Sequence, residues 1–518
     1  MGNNQSALTE RGYTLVNEQE KMMLVKNESG DQFVIKKFRD ARGDGSNFLL
    51  QLSHPHIVHH KEIFTDEGNV YLVLEHCEGG DLAQKMEGTV TFSENEVLDW
   101  IVMTCMALKY LHDQKILHKN LQPKSIFFTA CGTIRLGEFR AINERSTDRR
   151  LVAPEILSGR PYDERSEIWS LGNFIEMSTQ NRVTLSEDLN QLVKDTLQIN
   201  PAKRPSVSEI LMRPFIIKHL YEKSKQTIEE LYETLDALRK LADGLEKVHF
   251  NTTVGSLTGG VVGLAGGITS VVGAILAPFT LGASLIVTGV GIGVAVVGGV
   301  TAGASNITNM VNQRANRQRI KKMITEFQEK ITSTSCCIQN ISTGVESLQR
   351  EFSTSNGSFS RAQSEANSGV RLGRGLGGIP ELVRLIEVAN VGKVAAQAAR
   401  AVRVAEAATG VLSALFVAVD VFFVVLDSRE IHNIRKARGL RERQQQSTTC
   451  ARQTREEELK SETMKFVKKI RETADELQTT LDTLQDAMQL KPQKEESGWF
   501  LFVLLVLLLY MLFIFTAH

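Results

Sequence analysis

Four polar side chains that could take part in chemistry stand at separate points in the first part of the chain: Lys36, Asn120, Ser125 and Glu138. They supply a cation, an amide, a hydroxyl and a carboxylate, which are groups that can bind phosphate or a hard cation such as Mg²⁺. Because they are separated in sequence, only a fold can bring them together. The elements around them therefore decide what they can do.

The elements that must position these residues are strands followed by helices. Runs of β-branched or aromatic residues at 33–36 and 70–74, each bounded by turn formers, predict strands. Helical patterns follow at residues 97–112 and 191–197. Taken alone, this order predicts a soluble α+β domain over residues 11–217.

Seven short motifs follow the order that is typical of protein kinases. They are Val34-Ile35-Lys36, residues 71–82, residues 116–125, Leu136-Gly137-Glu138-Phe139, Ala153-Pro154-Glu155, residues 167–172 and residues 200–205. The segment therefore resembles a two-lobed protein kinase, and residues 71–82 resemble the hinge of the NIMA-related serine/threonine kinases. The resemblance implies that Lys36, Glu75 and Cys77 would hold ATP and that Glu138 would hold magnesium, if kinase function persists.

The positions that carry phosphoryl transfer depart from the kinase pattern. Asn120 stands where the catalytic base belongs, and Ser125 stands where the second metal ligand belongs. Residues 17–23, where a glycine-rich loop would cover the phosphates, contain no glycine. Loss of a general base alone costs about 10²–10⁴ in rate. We therefore predict a pseudokinase, with a weakly active, membrane-tethered serine/threonine kinase as the alternative.

From about residue 220 the pattern becomes helical, with apolar residues spaced alternately by three and four. The three main seams contain Ile228, Leu231, Leu235, Leu238, Ala242 and Leu245; Ile320, Ile324, Phe327 and Ile331; and Val467, Ile470, Ala474, Leu477, Leu481 and Leu484. We expect these seams to pack against one another in an all-α bundle. Association with a second copy or another protein through the same seams is the alternative.

An uncharged segment at residues 250–313 has the composition of a membrane hairpin. Gly255, Gly259, Gly263 and Gly267 recur at every fourth residue, which gives a helix a small face for close contact in lipid. Pro278 divides the segment into two halves, each long enough to cross a bilayer. We predict insertion in lipid, with a buried hairpin in a soluble bundle as the alternative.

Asp420 lies inside a further apolar helical stretch at residues 410–426. A carboxylate is costly in lipid unless it is protonated, paired or facing a cavity. Protonation would lower that cost, so we expect membrane activity to rise as pH falls. The alternative places Asp420 toward solvent at the edge of the bundle.

Residues 241–249, Leu276-Ala277-Pro278-Phe279-Thr280 and residues 419–432 resemble the apolipoprotein L proteins. The resemblance covers about residues 220–490, within a predicted domain at residues 218–495. It implies lipid binding, membrane insertion and pH-sensitive ion permeation. For some members it also implies lipid transport on secreted particles. Lipid transport is therefore the alternative function, and secretion is the alternative location.

Both ends of the sequence predict contact with membranes. Residues 498–517 contain no charged side chain, and as a helix they would span roughly 30 Å, which matches a bilayer core. We expect a transmembrane tail anchor in the endoplasmic reticulum or another endomembrane, with the body of the protein facing the cytosol. Within residues 1–10, the start Met1-Gly2 fits the pattern for N-myristoylation of Gly2.

Composition excludes other classes of function. Sixty basic residues balance sixty acidic ones, which removes the whole-chain electrostatic case for nucleic acid. The six cysteines show neither metal-ligand nor disulfide-framework spacing. The sequence thus predicts a membrane-anchored, lipid-interacting and ion-permeating protein whose pseudokinase module binds regulatory protein partners.

Overall fold

The computed structural model describes residues 8–19, 22–28, 30–39, 47–87, 91–139, 152–179, 184–255, 305–354, 391–439 and 449–488. These residues form a two-lobed α+β domain followed by long helices.

The first lobe is a five-stranded antiparallel sheet in the order β1-β2-β3-β5-β4. Its strands are β1 (Thr14–Gln19), β2 (Met22–Lys26), β3 (Gln32–Arg39), β4 (His60–Asp66) and β5 (Asn69–Glu75). The predicted strands at 33–36 and 70–74 are confirmed as the centres of β3 and β5. Alternation places Ile35 in the core of this lobe and Lys36 on the opposite face, which points to the cleft.

The second lobe is helical and carries one short hairpin, β6 (Ile126–Phe128) with β7 (Ile134–Leu136). Its helices are α1 (Leu82–Lys85), α2 (Glu94–Asp113), α3 (Pro154–Leu157), α4 (Glu164–Thr179), α5 (Glu187–Thr196) and α6 (Val207–Leu211). Ser93 and Glu96 cap the N-terminus of α2 reciprocally, which satisfies N–H groups that the helix itself cannot pair. The predicted helices at 97–112 and 191–197 correspond to α2 and α5.

Four long helices make up the rest of the described chain: α7 (Pro214–Gly255), α8 (Ser305–Thr354), α9 (Val391–Gly439) and α10 (Thr449–Met488). Helices α7 and α10 run antiparallel, because Tyr232 contacts Asp482 while Glu246 contacts Arg471. Every residue of the three predicted seams is buried. Helix-on-helix packing within one bundle is therefore confirmed as the use of these seams.

The two parts of the chain share one helix and one core. Helix α7 begins at Pro214, so the predicted boundary between residues 217 and 218 falls in its first turn. The apolar core of the second lobe continues without a break into the bundle, from α2 through Ile217 and Leu220 to the seams of α8 and α10. This shared core fixes the bundle against the second lobe.

One helix among the described residues, Ala396–Leu426 within α9, is long and apolar enough to cross a membrane, and a third of its most apolar window is buried in the protein. It contains the apolar stretch that the sequence singled out at residues 410–426. The predicted tail anchor at residues 498–517, Gly2, Gly259, Gly263, Gly267 and Pro278 all lie outside the described residues. Gly255 is the last described residue of α7.

Candidate functional site

The cleft between the lobes brings together the predicted site residues Lys36, Asn120 and Glu138. The Lys36 ammonium forms an ion pair with the Glu138 carboxylate, and the two side chains are about one quarter and one third exposed. The carboxylate at the predicted metal position is therefore occupied by the lysine at the predicted phosphate position.

The side chain of Asn120 is hydrogen-bonded on both sides. Its Nδ2 donates to the Glu138 carbonyl oxygen at 2.8 Å, and its Oδ1 accepts from Gln122 Nε2 at 3.0 Å. An amide has no site that can take a proton from a hydroxyl near neutral pH. Asn120 thus links its own loop to the segment that follows β7.

Ser125 is fully buried, and its hydroxyl is used within its own turn. It donates to the Gln122 carbonyl at 2.7 Å and accepts from the Gln122 N–H at 3.1 Å. Both bonds direct the hydroxyl into the backbone of the short 3₁₀ helix Pro123–Ser125. The hydroxyl that stands at the position of the second metal ligand is therefore hydrogen-bonded within its own turn. In the part of the chain that the structure describes, no group of three or more His, Cys, Asp or Glu side chains could hold a metal ion.

Buried groups hold the loop around Asn120 in its conformation. Glu167, which is fully buried on α4, accepts from the Lys119 N–H at 2.6 Å and contacts His112 Nε2 at 2.7 Å. His118 Nε2 lies 2.6 Å from the Gly137 carbonyl oxygen, and burial lowers the pKa of this imidazole. Lys119 and Glu138 both have positive φ, a conformation that costs a non-glycine residue energy unless its surroundings enforce it.

The hinge residues Glu75 and Cys77 face the rear of the cleft. Glu75 ends β5, and its carboxylate accepts from the His59 N–H at 2.8 Å and lies 3.2 Å from Arg135 Nε. Burial, followed by the charge of Glu75, raises the pKa of the Cys77 thiol, so this thiol is neutral. These contacts show how the hinge is supported.

The residues that hold the second lobe together are intact. Arg204 is 1% exposed and forms two hydrogen bonds with Glu155, at 2.6 and 2.8 Å. Glu155 belongs to the Ala-Pro-Glu motif and Arg204 to the motif at residues 200–205, so the two motifs meet in one buried ion pair. This buried pair holds the two motifs of the second lobe together.

Asp420 is paired with two cations. Its Oδ1 lies 2.8 Å from Arg317 Nη2 and 2.7 Å from Lys321 Nζ, both on α8. Its side chain is 29% exposed. Asp420 therefore lies ion-paired at the contact between α8 and α9, and it does not simply face solvent.

Sequence analysis missed the contacts that the bundle makes with the rear of the hinge. Glu329 on α8 accepts from Cys131 Sγ at 2.7 Å and lies 3.5 Å from Arg135 Nη2. Arg135 in turn reaches Glu75. No local pattern in the sequence marks Glu329, because its partners lie almost two hundred residues away.

Comparison with known proteins finds two family models that match successive, slightly overlapping parts of the chain. A family model of the protein kinase domain matches residues 18–184, and one of apolipoprotein L matches residues 172–459. The chain is 33% identical over 246 residues to the mouse (Mus musculus) serine/threonine-protein kinase Nek1, covering 39% of this chain and 20% of Nek1. It is 32% identical over 239 residues to mouse Nek5, covering 38% of each chain. The matches thus span well under half the length of these relatives.

The fold and the matches define a protein kinase domain, similar to the NIMA-related kinases, fused to an all-helical domain. Because the apolipoprotein L match covers more than half of the 518 residues, the chain belongs to the apolipoprotein L family.

Proposed function

We propose that the kinase-like domain transfers no phosphate and serves as a regulatory pseudokinase module for a lipid-interacting, ion-permeating helical domain. The observation that carries the first half is the side chain of Asn120, which is an amide at the base position and is bonded on both sides. Ser125, turned into its own loop, and Glu138, paired with Lys36, support it. ATP and magnesium are therefore not part of this proposal.

Helix α9 supports the proposed lipid-interacting role of the helical domain. Val417, Val421 and Val424 are 61%, 53% and 52% exposed, and their spacing of four and three puts them on one face of the helix. Exposed apolar side chains in a row mark a surface that apolar groups cover. Acyl chains of membrane lipids are the occupant that the family match and the length of this helix favour.

The remaining membrane features complete the proposal. We infer that the segment carrying Gly255, Gly259, Gly263, Gly267 and Pro278 inserts in lipid, and that residues 498–517 anchor the chain in an endomembrane with its body in the cytosol. N-myristoylation of Gly2 would add a second, weaker attachment. Protein partners would bind the kinase-like domain.

Two other functions have a specific observation in their favour. A weakly active serine/threonine kinase at membranes is favoured by the similarity to Nek1 and Nek5 and by the retained Lys36. Lipid binding and transport alone is favoured by the apolipoprotein L match.

Full-length protein is expected to bind phosphatidylcholine–phosphatidylserine vesicles through the valine face of α9. Replacing Val417, Val421 and Val424 together by asparagine should weaken co-sedimentation at least about tenfold, since each buried methylene contributes about 0.8 kcal/mol. Val16→Asn, an exposed valine on β1, is the matched control and should have no effect. Unchanged binding by the triple variant would show that α9 does not enter the lipid.

A further inference from the structure

Helix α8 presents one row of side chains to the rear of the kinase-like hinge. Glu329, Ser333 and Cys336 are spaced by four and three and so share a face. Ser333 Oγ lies 3.3 Å from His56 Nε2, and Cys336 Sγ lies 3.6 Å from His54 Nε2. The row spans about two turns of α8 and covers the loop that precedes β4.

Glu329 provides the direct connection to the hinge. Its side chain is 14% exposed and that of Arg135 is 11% exposed, so water screens their attraction only weakly. Burial alone would lower the pKa of the Arg135 guanidinium, but Glu75 and Glu329 outweigh burial and raise it. The row of charges Glu329–Arg135–Glu75 therefore runs from the bundle to the end of β5.

The same helix also holds the apolar helix α9. Arg317 and Lys321 on α8 both reach Asp420, and Lys321 Nζ lies 4.3 Å from the centre of the Phe416 ring. Lys321 is only 8% exposed. If Asp420 moved away, this buried ammonium would lose its counter-charge, which is a costly state. Eight residues separate Lys321 from Glu329, a distance of roughly 12 Å along the helix.

We propose that α8 couples the pairing of Asp420 to the support of the kinase-like hinge, so that movement of α9 into a membrane loosens the Glu329–Arg135–Glu75 row. The inference rests on the proposed membrane function of α9 and names its regulation. Coupling of this kind is reciprocal, so a ligand that tightens the hinge would also hold α9 in the bundle. The kinase-like domain would then act as a brake on membrane insertion.

The Cys131 thiol reports on the Glu329 contact in the full-length protein. Burial, then the charge and hydrogen bond of Glu329, raise the pKa of Cys131 to about 11. Without the charge and hydrogen bond of Glu329, the pKa of Cys131 would be lower. The thiolate fraction, and so the alkylation rate, would then rise by roughly three- to tenfold. Iodoacetamide labelling followed by peptide mass spectrometry measures this rate. The fully buried Cys105 on α2 serves as the internal reference for unfolding.

Glu329→Gln should speed Cys131 labelling directly, and Asp420→Asn should speed it from a distance, both without lipid. Gln318→Ala, at an exposed position on α8 between Arg317 and Lys321, is the control and should leave the rate unchanged. Effects at sites farther apart than about 7–10 Å usually combine independently. In the double variant, the increase in the Cys131 labelling rate should therefore be smaller than the product of the two single increases, because both substitutions act on one contact.

Adding phosphatidylserine-containing vesicles should produce the same acceleration in the unsubstituted chain, with Cys105 unchanged. Vesicles that co-sediment with the protein but leave the Cys131 rate unaltered would overturn the coupling while leaving the membrane function intact. If vesicles do not bind, the membrane function fails, and Asp420→Asn alone then decides the coupling. An unchanged Cys131 rate in that variant would overturn it.

Discussion

Replacing Arg204 by alanine is expected to lower the free energy of unfolding by about 3–5 kcal/mol, the usual cost of breaking a buried ion pair from one side. The guanidinium donates to both oxygens of Glu155 and to the carbonyls of Gln198 and Arg165. Its carbon also lies 5.0 Å from the centre of the Trp169 ring. The substitution leaves the Glu155 carboxylate, which is 7% exposed, without its counter-charge.

Urea denaturation followed by tryptophan fluorescence measures this loss. Removing both charges in Arg204→Met with Glu155→Leu should recover part of the stability, because no unpaired charge is then buried. Arg213→Ala, which breaks the partly exposed pair with Asp195, is the control and should cost about 1 kcal/mol or less. A single Arg204 variant as stable as this control would show that the buried pair does not hold the lobe together.

Acidification is expected to destabilise the protein through histidines that the fold keeps neutral, among them His54, His56 and His60. Burial is the main cause that lowers the pKa of His54 and of His60 to about 4, and it lowers that of His56 well below 6.5. The unfolded chain binds these protons near pH 6.5 and the folded chain does not, so their stabilising effect is complete above 6.5 and is lost as pH falls toward 4. Between about pH 7.5 and 5.5, three such groups lower the free energy of unfolding by about 4 kcal/mol.

Urea unfolding at both pH values tests this dependence. His54→Phe should remove about one third of the contribution of these three histidines, because phenylalanine keeps the stacking on Tyr110, at 5.1 Å between ring centres, and cannot bind a proton. Gln318→Ala, at an exposed position on α8, removes no titratable group and should leave the pH dependence unchanged. A slope that His54→Phe does not alter would contradict the neutral, buried state of this imidazole.

The fold could be predicted from the sequence where the signal is local. Alternating apolar residues around Ile35 and the seam that includes Leu235 and Leu477 each fix the buried face of a strand or helix. The order of the motifs placed Asn120 and Glu138 at the cleft before any geometry was known. These inferences succeed because each depends on a short stretch of sequence.

The ion-pair partners could not be predicted, because they depend on how distant elements dock. Lys36 pairs with Glu138, which is 102 residues away, and Asp420 pairs with Arg317, which is 103 residues away. For Asp420 the sequence left open a protonated, paired or solvent-facing carboxylate, and it did not indicate that α8 supplies its partners. Glu329 carries no sequence signal at all, since a glutamate on a polar helix is ordinarily a solvated side chain.

Phosphate transfer by the full-length chain tests most directly whether the kinase-like cleft is non-catalytic. Purified protein is incubated with γ-labelled ATP, Mg²⁺ or Mn²⁺, and casein as acceptor, beside a Lys36→Met variant. We expect the unsubstituted chain to incorporate no more phosphate into casein than Lys36→Met does. Asn120→Asp alone should restore no incorporation, because Ser125 remains turned into its loop. Labelling by the unsubstituted chain that disappears in Lys36→Met would contradict the claim and establish a membrane-tethered kinase.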